Sequence, residues 1–128
     1  MRKFILVLFF SVASNNAMAE WVEDGHSDSM TVYVDRSTIR RTGNMATMWI
    51  LNDYEKSPEL GEGFRRSVKV QMEFDCTEEK ARYLYSVNYF GNMGSGDVLH
   101  KNASTSLWEP AVPRSISQSL WKIACHKE

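Results

Sequence analysis

Between residues 67 and 76 the chain alternates strictly between polar and apolar side chains. Val68, Val70, Met72, Phe74 and Cys76 fall on one side, and Ser67, Lys69, Gln71, Glu73 and Asp75 on the other. Successive side chains of a β-strand point to opposite faces, whereas a helix repeats every 3.6 residues. A stretch with this period gathers its apolar set only as a strand with one face on a core and the other outward. It therefore demands a sheet, and it demands a second element to cover the apolar face. Cys76 lies on the covered side. The strand is expected over residues 64–76.

The flanking sequence supplies its neighbours. Residues 31–35 read as a short strand of β-branched and aromatic residues, residues 36–44 as a polar turn around Gly43, and residues 45–54 as a strand centred on Met48, Trp49, Ile50 and Leu51. The near-continuous apolar run of this last strand suits a central position covered on both faces. Pro58, Gly61 and Gly63 make residues 55–63 a loop. After a turn at 77–79, residues 80–90 form a fourth strand with Tyr83, Tyr85, Val87 and Tyr89 expected on one side. Residues 91–97 form a glycine-rich hairpin loop with Met93 at its tip, and 98–101 return as a short strand. Pro110 and Pro113 keep residues 108–113 out of helix.

A helix is expected after them. Ser115 and Gln118 have the spacing of a capping box, and Ile116, Leu120, Ile123 and Ala124 make an apolar stripe at helical spacing. Cys125 falls just outside that stripe, so the last turn is expected to bend toward Cys76. The fold class that follows is α+β: an antiparallel meander of about five or six strands with one C-terminal helix packed on one face.

The N-terminus sets the compartment. Arg2 and Lys3 precede a run of apolar residues from 4 to 13, and Ala17-Met18-Ala19 fits the small-x-small pattern of a cleavage site. Residues 1–19 are expected to be a secretory signal peptide, with residues 20–128 as a single domain. The residue after the cleavage point is Glu20 rather than the cysteine that would carry a lipid. The expected location is periplasmic, secreted or at the cell surface, with no membrane span after cleavage. Export makes a disulfide the simplest reading of Cys76 and Cys125, closing a loop of about 50 residues; two buried thiols are the alternative. With thirteen basic and sixteen acidic side chains beyond residue 19, the domain has no general attraction to nucleic acid or anionic lipid.

No residue pattern calls for catalysis. His26, His100 and His126 fall on separate segments and read as surface or structural residues, so no metal or haem ligand set is assigned. The serines at 104, 106, 115, 117 and 119 lack a G-x-S-x-G elbow. Residues 91–96 match neither a dinucleotide loop nor a Walker loop. The pairs Arg40-Arg41 and Arg65-Arg66 read as solvated, with contact to an acidic partner as their functional reading. Trp49 reads as core. Trp108 and Trp121 read as packing residues, and as contact anchors if exposed.

Together these segments resemble a known family. Tyr33-Val34-Asp35, Thr38-Ile39-Arg40-Arg41 with Gly43, Met48-Trp49, Glu73-Phe74-Asp75-Cys76, Arg82, and Trp108-x-Pro110-x-x-Pro113-x-Ser115 before a helix ending at Cys125 are similar to the surface-adhesin protein E family of Gram-negative bacteria. The resemblance implies a six-stranded antiparallel sheet with a helix against it and a bridge between Cys76 and Cys125. It also implies binding of host matrix or serum proteins, dimerisation and haem binding, while the shared residues belong to the scaffold and carry no binding site across. The expected function is a non-enzymatic, exported binding protein with a protein partner and no cofactor. The alternatives are a soluble periplasmic accessory protein of an envelope assembly and a small-ligand (haem) binding module.

Overall fold

A computed structural model describes residues 20–55 and 65–126. The expected signal peptide and most of the expected 55–63 loop lie outside these residues. Six antiparallel strands follow one another across a single sheet in chain order: β1 (Val22–His26), β2 (Met30–Thr42), β3 (Met45–Tyr54), β4 (Ser67–Asp75), β5 (Lys80–Tyr89) and β6 (Val98–Asn102). A two-residue strand, β7 (Glu109–Pro110), pairs with the start of β5, and α1 (Ile116–Cys125) packs on one face. The expected meander and its C-terminal helix are thus the observed architecture.

The alternating strand does what its period requires. Val68, Val70, Met72 and Phe74 of β4 are buried on the helix side, with Val32 and Val34 of β2 and Ala46, Met48 and Ile50 of β3 beside them. Leu120, Trp121, Ala124 and Cys125 cover part of this layer from the helix. Cys76 and Cys125 are joined, with Cα atoms 5.6 Å apart. No bend in the last turn is needed. The buried arc of α1 includes Trp121 and Cys125 and is wider than the four-residue stripe, so Cys125 faces the sheet from an unbroken helix.

Both ends of α1 are tied down. The Ser115 hydroxyl accepts from the Gln118 N–H at 3.1 Å, as a capping serine should. The reciprocal half of the box is displaced by one residue: Gln118 Oε1 accepts from the N–H of Arg114, not of Ser115. At the C-terminus Arg41 donates to the Cys125 carbonyl at 3.1 Å, placing a cation where the helix carries its negative end. Half of the Arg40-Arg41 pair is therefore spent inside the fold. Trp121 is buried, and its indole N–H donates to the Asp75 carbonyl.

Three local features depart from the sequence reading. Residues 22–26, which include two acids, a glycine and a histidine, form an edge strand, where Gly25 lets the backbone approach Ile116 of α1. Residues 36–42 are not a turn, because β2 runs to Thr42 and the turn is confined to Gly43 and Asn44. The pairing with β3 jumps from Asp35↔Trp49 to Arg40↔Thr47, so residues between Asp35 and Arg40 bulge outward. Asp35 Oδ1 accepts from the backbone and hydroxyl of Ser37; the Thr38 hydroxyl donates to the Asp35 carbonyl and accepts from the Trp49 N–H. Polar side chains here replace the interrupted ladder rather than end it.

The third departure is in β5. Gln71 pairs with Tyr85 but Met72 pairs with Tyr83, which leaves Leu84 as an extra residue. The bulge turns Tyr83 to the helix side, beside Met72, while Tyr85, Val87 and Tyr89 stay on the opposite face. The four residues expected on one side are split by one insertion.

Candidate functional site

With α1 on one face, no helix or strand among the described residues covers the other face of the sheet, whose side chains are largely aromatic. Asp35, Trp49, Gln71 and Tyr85 form one cross-strand row, and Tyr33, Leu51, Lys69, Val87 and Lys101 form the next. Leu51 and Val87 are buried, while Trp21, Tyr33, Trp49, Tyr85, Tyr89 and Trp108 are all half-buried. The apolar run of β3 is therefore covered on both faces, as its composition suggests. Trp49, however, belongs to this second layer and not to the helix-side core.

Cations organise the belt. The Lys69 ammonium lies 5.1 Å from the Tyr89 ring centre and 6.0 Å from that of Trp21. At the other end Arg82 stacks on Trp108 at 4.3 Å, while its Nε and Nη2 reach Glu73 Oε1 at 2.8 and 2.6 Å. Between them Trp49 and Tyr85 meet edge to face at 6.1 Å. Each cation over a ring contributes on the order of 0.5–1 kcal/mol at a partly exposed site. The belt is thereby held in place by contacts among its own side chains. A shallow cavity of about 260 Å³ opens among Trp21, Asp35, Thr38, Trp49, Lys69 and Tyr89.

The glycine-rich loop closes one end of this face. The turn Asn92–Gly94 folds back over β3 and β4. Asp53 Oδ1 accepts from Asn92 Nδ2 and the Met93 N–H, and the fully buried Ser67 hydroxyl donates to the Gly91 carbonyl and accepts from the Gly94 N–H. Gly94 has φ of +69°, and a Cβ there would collide with Lys69. Met93 is exposed as expected, but the loop is pinned to the sheet as well as joining two strands.

The other expected residues do not converge. His26 is on β1, His100 on β6 and His126 caps α1 in a left-handed conformation. Among the described residues no group of three or more His, Cys, Asp or Glu could hold a metal ion. The late serines serve capping and pairing: Ser106 accepts from the Tyr83 N–H and donates its own N–H to the Tyr83 carbonyl, extending the edge of β5 between β6 and β7. Among the described residues no helix is long and apolar enough to cross a membrane.

The family model for surface-adhesin protein E matches residues 21–126, from the first aromatic of the belt to the cap of the helix. The chain belongs to the surface-adhesin protein E family. Its fold is similar to solved structures of protein E from Haemophilus influenzae. Crystal form II has a TM-score of 0.60 at 16% identity, covering 74% of this chain and 80% of that one. The selenomethionine form gives 0.58 at 12% identity, covering 80% and 90%, and protein E from a non-typeable strain gives 0.56 at 14% identity, covering 81% and 75%. No curated protein sequence matches the chain significantly. At these identities the likeness is one of fold alone, and the belt must be judged on its own chemistry.

Proposed function

We propose that this chain is an exported, non-enzymatic binding protein of the surface-adhesin protein E type, which engages a protein partner through the aromatic face of its sheet. The observation that carries this reading is the belt itself. Tryptophan, tyrosine and arginine are the residue types that dominate binding energy in protein interfaces, and they do so when held rigid around a desolvated centre. Here Trp49 and Tyr85 pack against each other and Trp108 stacks on Arg82, while Leu51 and Val87 lie buried in the cross-strand row next to Trp49 and Tyr85. Family membership supports a protein of the host matrix or serum as the partner. The leader sequence supports export, and Glu20 at the expected cleavage point supports a chain without a lipid anchor.

The test has two parts. Cells expressing the full chain are labelled with antibody while intact, and the protein is then assayed for binding to immobilised matrix and serum proteins. Surface labelling, with binding that falls about tenfold or more in Trp108→Ala and Trp49→Ala, is the expected result. Release by osmotic shock with no labelling of intact cells overturns the surface reading and leaves a periplasmic role in an envelope assembly.

A further inference from the structure

The helix does not cover the whole of its own face. Beyond its reach, between β3 and β6, lies a groove of about 520 Å³, within the range of small-ligand sites at about 300–1,000 Å³. Its floor is Val68 and Val70. Register places Asn52 and Asn88 on either side of Val68, and Asn102 in the adjacent row beyond Ser86. From strand spacing, Asn52 and Asn88 stand about 10 Å apart across the floor. Asn102 Oδ1 accepts from the Ser104 N–H; no described residue takes up the amides of Asn52 or Asn88. Tyr54 and Tyr83 contribute ring surface at the rim, and the Arg65 guanidinium lies 5.6 Å from the Tyr54 ring centre. Among the described residues no carboxylate lines the groove.

We infer that this groove binds an N-acetylated amino-sugar oligosaccharide that carries a carboxylate. An amide presents a donor and an acceptor side by side, which is what a sugar hydroxyl or an acetamido group requires, since each both gives and takes hydrogen bonds. Two such amides across an apolar floor seat a ring whose edges are polar and whose faces are C–H. Tyrosine rings complement the same C–H faces. Arg65 supplies a planar fork for the acid. Other ligand classes fit less well. An apolar ligand would strip water from the amides without replacing their hydrogen bonds. An extended peptide draws its affinity from a free strand edge, and this groove lies on a sheet face. A phosphate-rich ligand needs several fixed cations, where the described lining has Arg65 and the exposed His100.

Such sugars occur both in the bacterial wall and on host glycoproteins, and the experiment separates the two. The protein, purified after export of the full chain, is titrated by calorimetry with N-acetylglucosaminyl-N-acetylmuramic acid and, separately, with sialyl-N-acetyllactosamine. Saturable binding of one or both is expected, and the arm that saturates names the source. Asn52→Leu and Asn88→Leu should each weaken it about tenfold. Asn88→Asp, which keeps the shape and removes the amide donors, serves where leucine alters the melting curve. Arg65→Ala should weaken the acidic sugars and leave the neutral N-acetylglucosamine disaccharide unchanged, and Trp108→Ala should alter neither. The inference is overturned if neither acidic sugar saturates, or if binding persists undiminished in asparagine variants that melt like the parent.

Discussion

The two faces of this sheet solve the same problem by different means. One is covered over its central strands by a helix, capped at both ends and bonded through Cys76–Cys125 to the turn after β4. On the other, no helix or strand among the described residues takes the place of α1, and half-buried rings held by Lys69, Arg82 and one another protect Leu51 and Val87. A helix-covered face gains stability from burial and leaves little to meet a partner. An aromatic face gains less, because its rings stay partly wet, and for that reason keeps the area a partner can bury. Stability and recognition are thus assigned to opposite sides of one sheet.

The comparison predicts that damage to the helix side costs most. Cys76→Ser with Cys125→Ser releases a loop of about 50 residues and should destabilise the protein by about 3–4 kcal/mol in the chain-entropy model. The measurement is a denaturant midpoint with and without reductant. The parent under reducing conditions should fall to the level of the double variant, and the aromatic face should then melt together with the helix face. Two separate transitions would show that the faces are independent units and break the comparison.

How far each face could be read beforehand follows from how it is made. The helix side was legible because burial on one face imposes a period of two, visible from Val68 to Cys76, and because export makes a distant cysteine pair a bridge. The departures arose where side chains, not the pattern, decide the backbone. At residues 36–39 the polar residues looked like a turn, but Asp35 and Thr38 use their oxygens to rebuild the ladder. At Leu84 one extra residue reverses the side on which Tyr83 lies, and no periodicity within β5 announces it. The belt and the groove were hidden for a related reason. Each is assembled from single residues on several strands, and their meeting depends on register across strands, which is invisible along any one of them. The signal available was the number of tryptophans and tyrosines, too many for one modest core.

The bulge at Thr38 joins the two faces, so it sharpens the comparison. Thr38→Val keeps the shape and removes the hydroxyl that accepts from the Trp49 N–H at 2.9 Å. A half-buried amide without its partner costs about 1–3 kcal/mol. The loss should appear in the unfolding free energy, and faster hydrogen exchange should be confined to the Trp49 amide and its neighbours. Exchange that rises equally across β4 would place the bulge among the determinants of the whole sheet and not of the aromatic face.

The smallest effect tests whether the belt acts as a unit. Trp49 and Tyr85 pack edge to face, an arrangement contributing about 0.5–1.5 kcal/mol beyond the area buried. A double-mutant cycle of Trp49→Phe and Tyr85→Leu should return a coupling in that range, read from equilibrium unfolding. Coupling near zero would mean that each ring rests on Leu51 and Val87 alone and is free to reorient. That outcome bears on binding as well as stability. Rings already locked against each other lose little freedom when a partner arrives, whereas rings that must first be ordered subtract from the affinity. A measurable coupling therefore distinguishes a face pre-organised for recognition from one that is merely the uncovered back of a sheet.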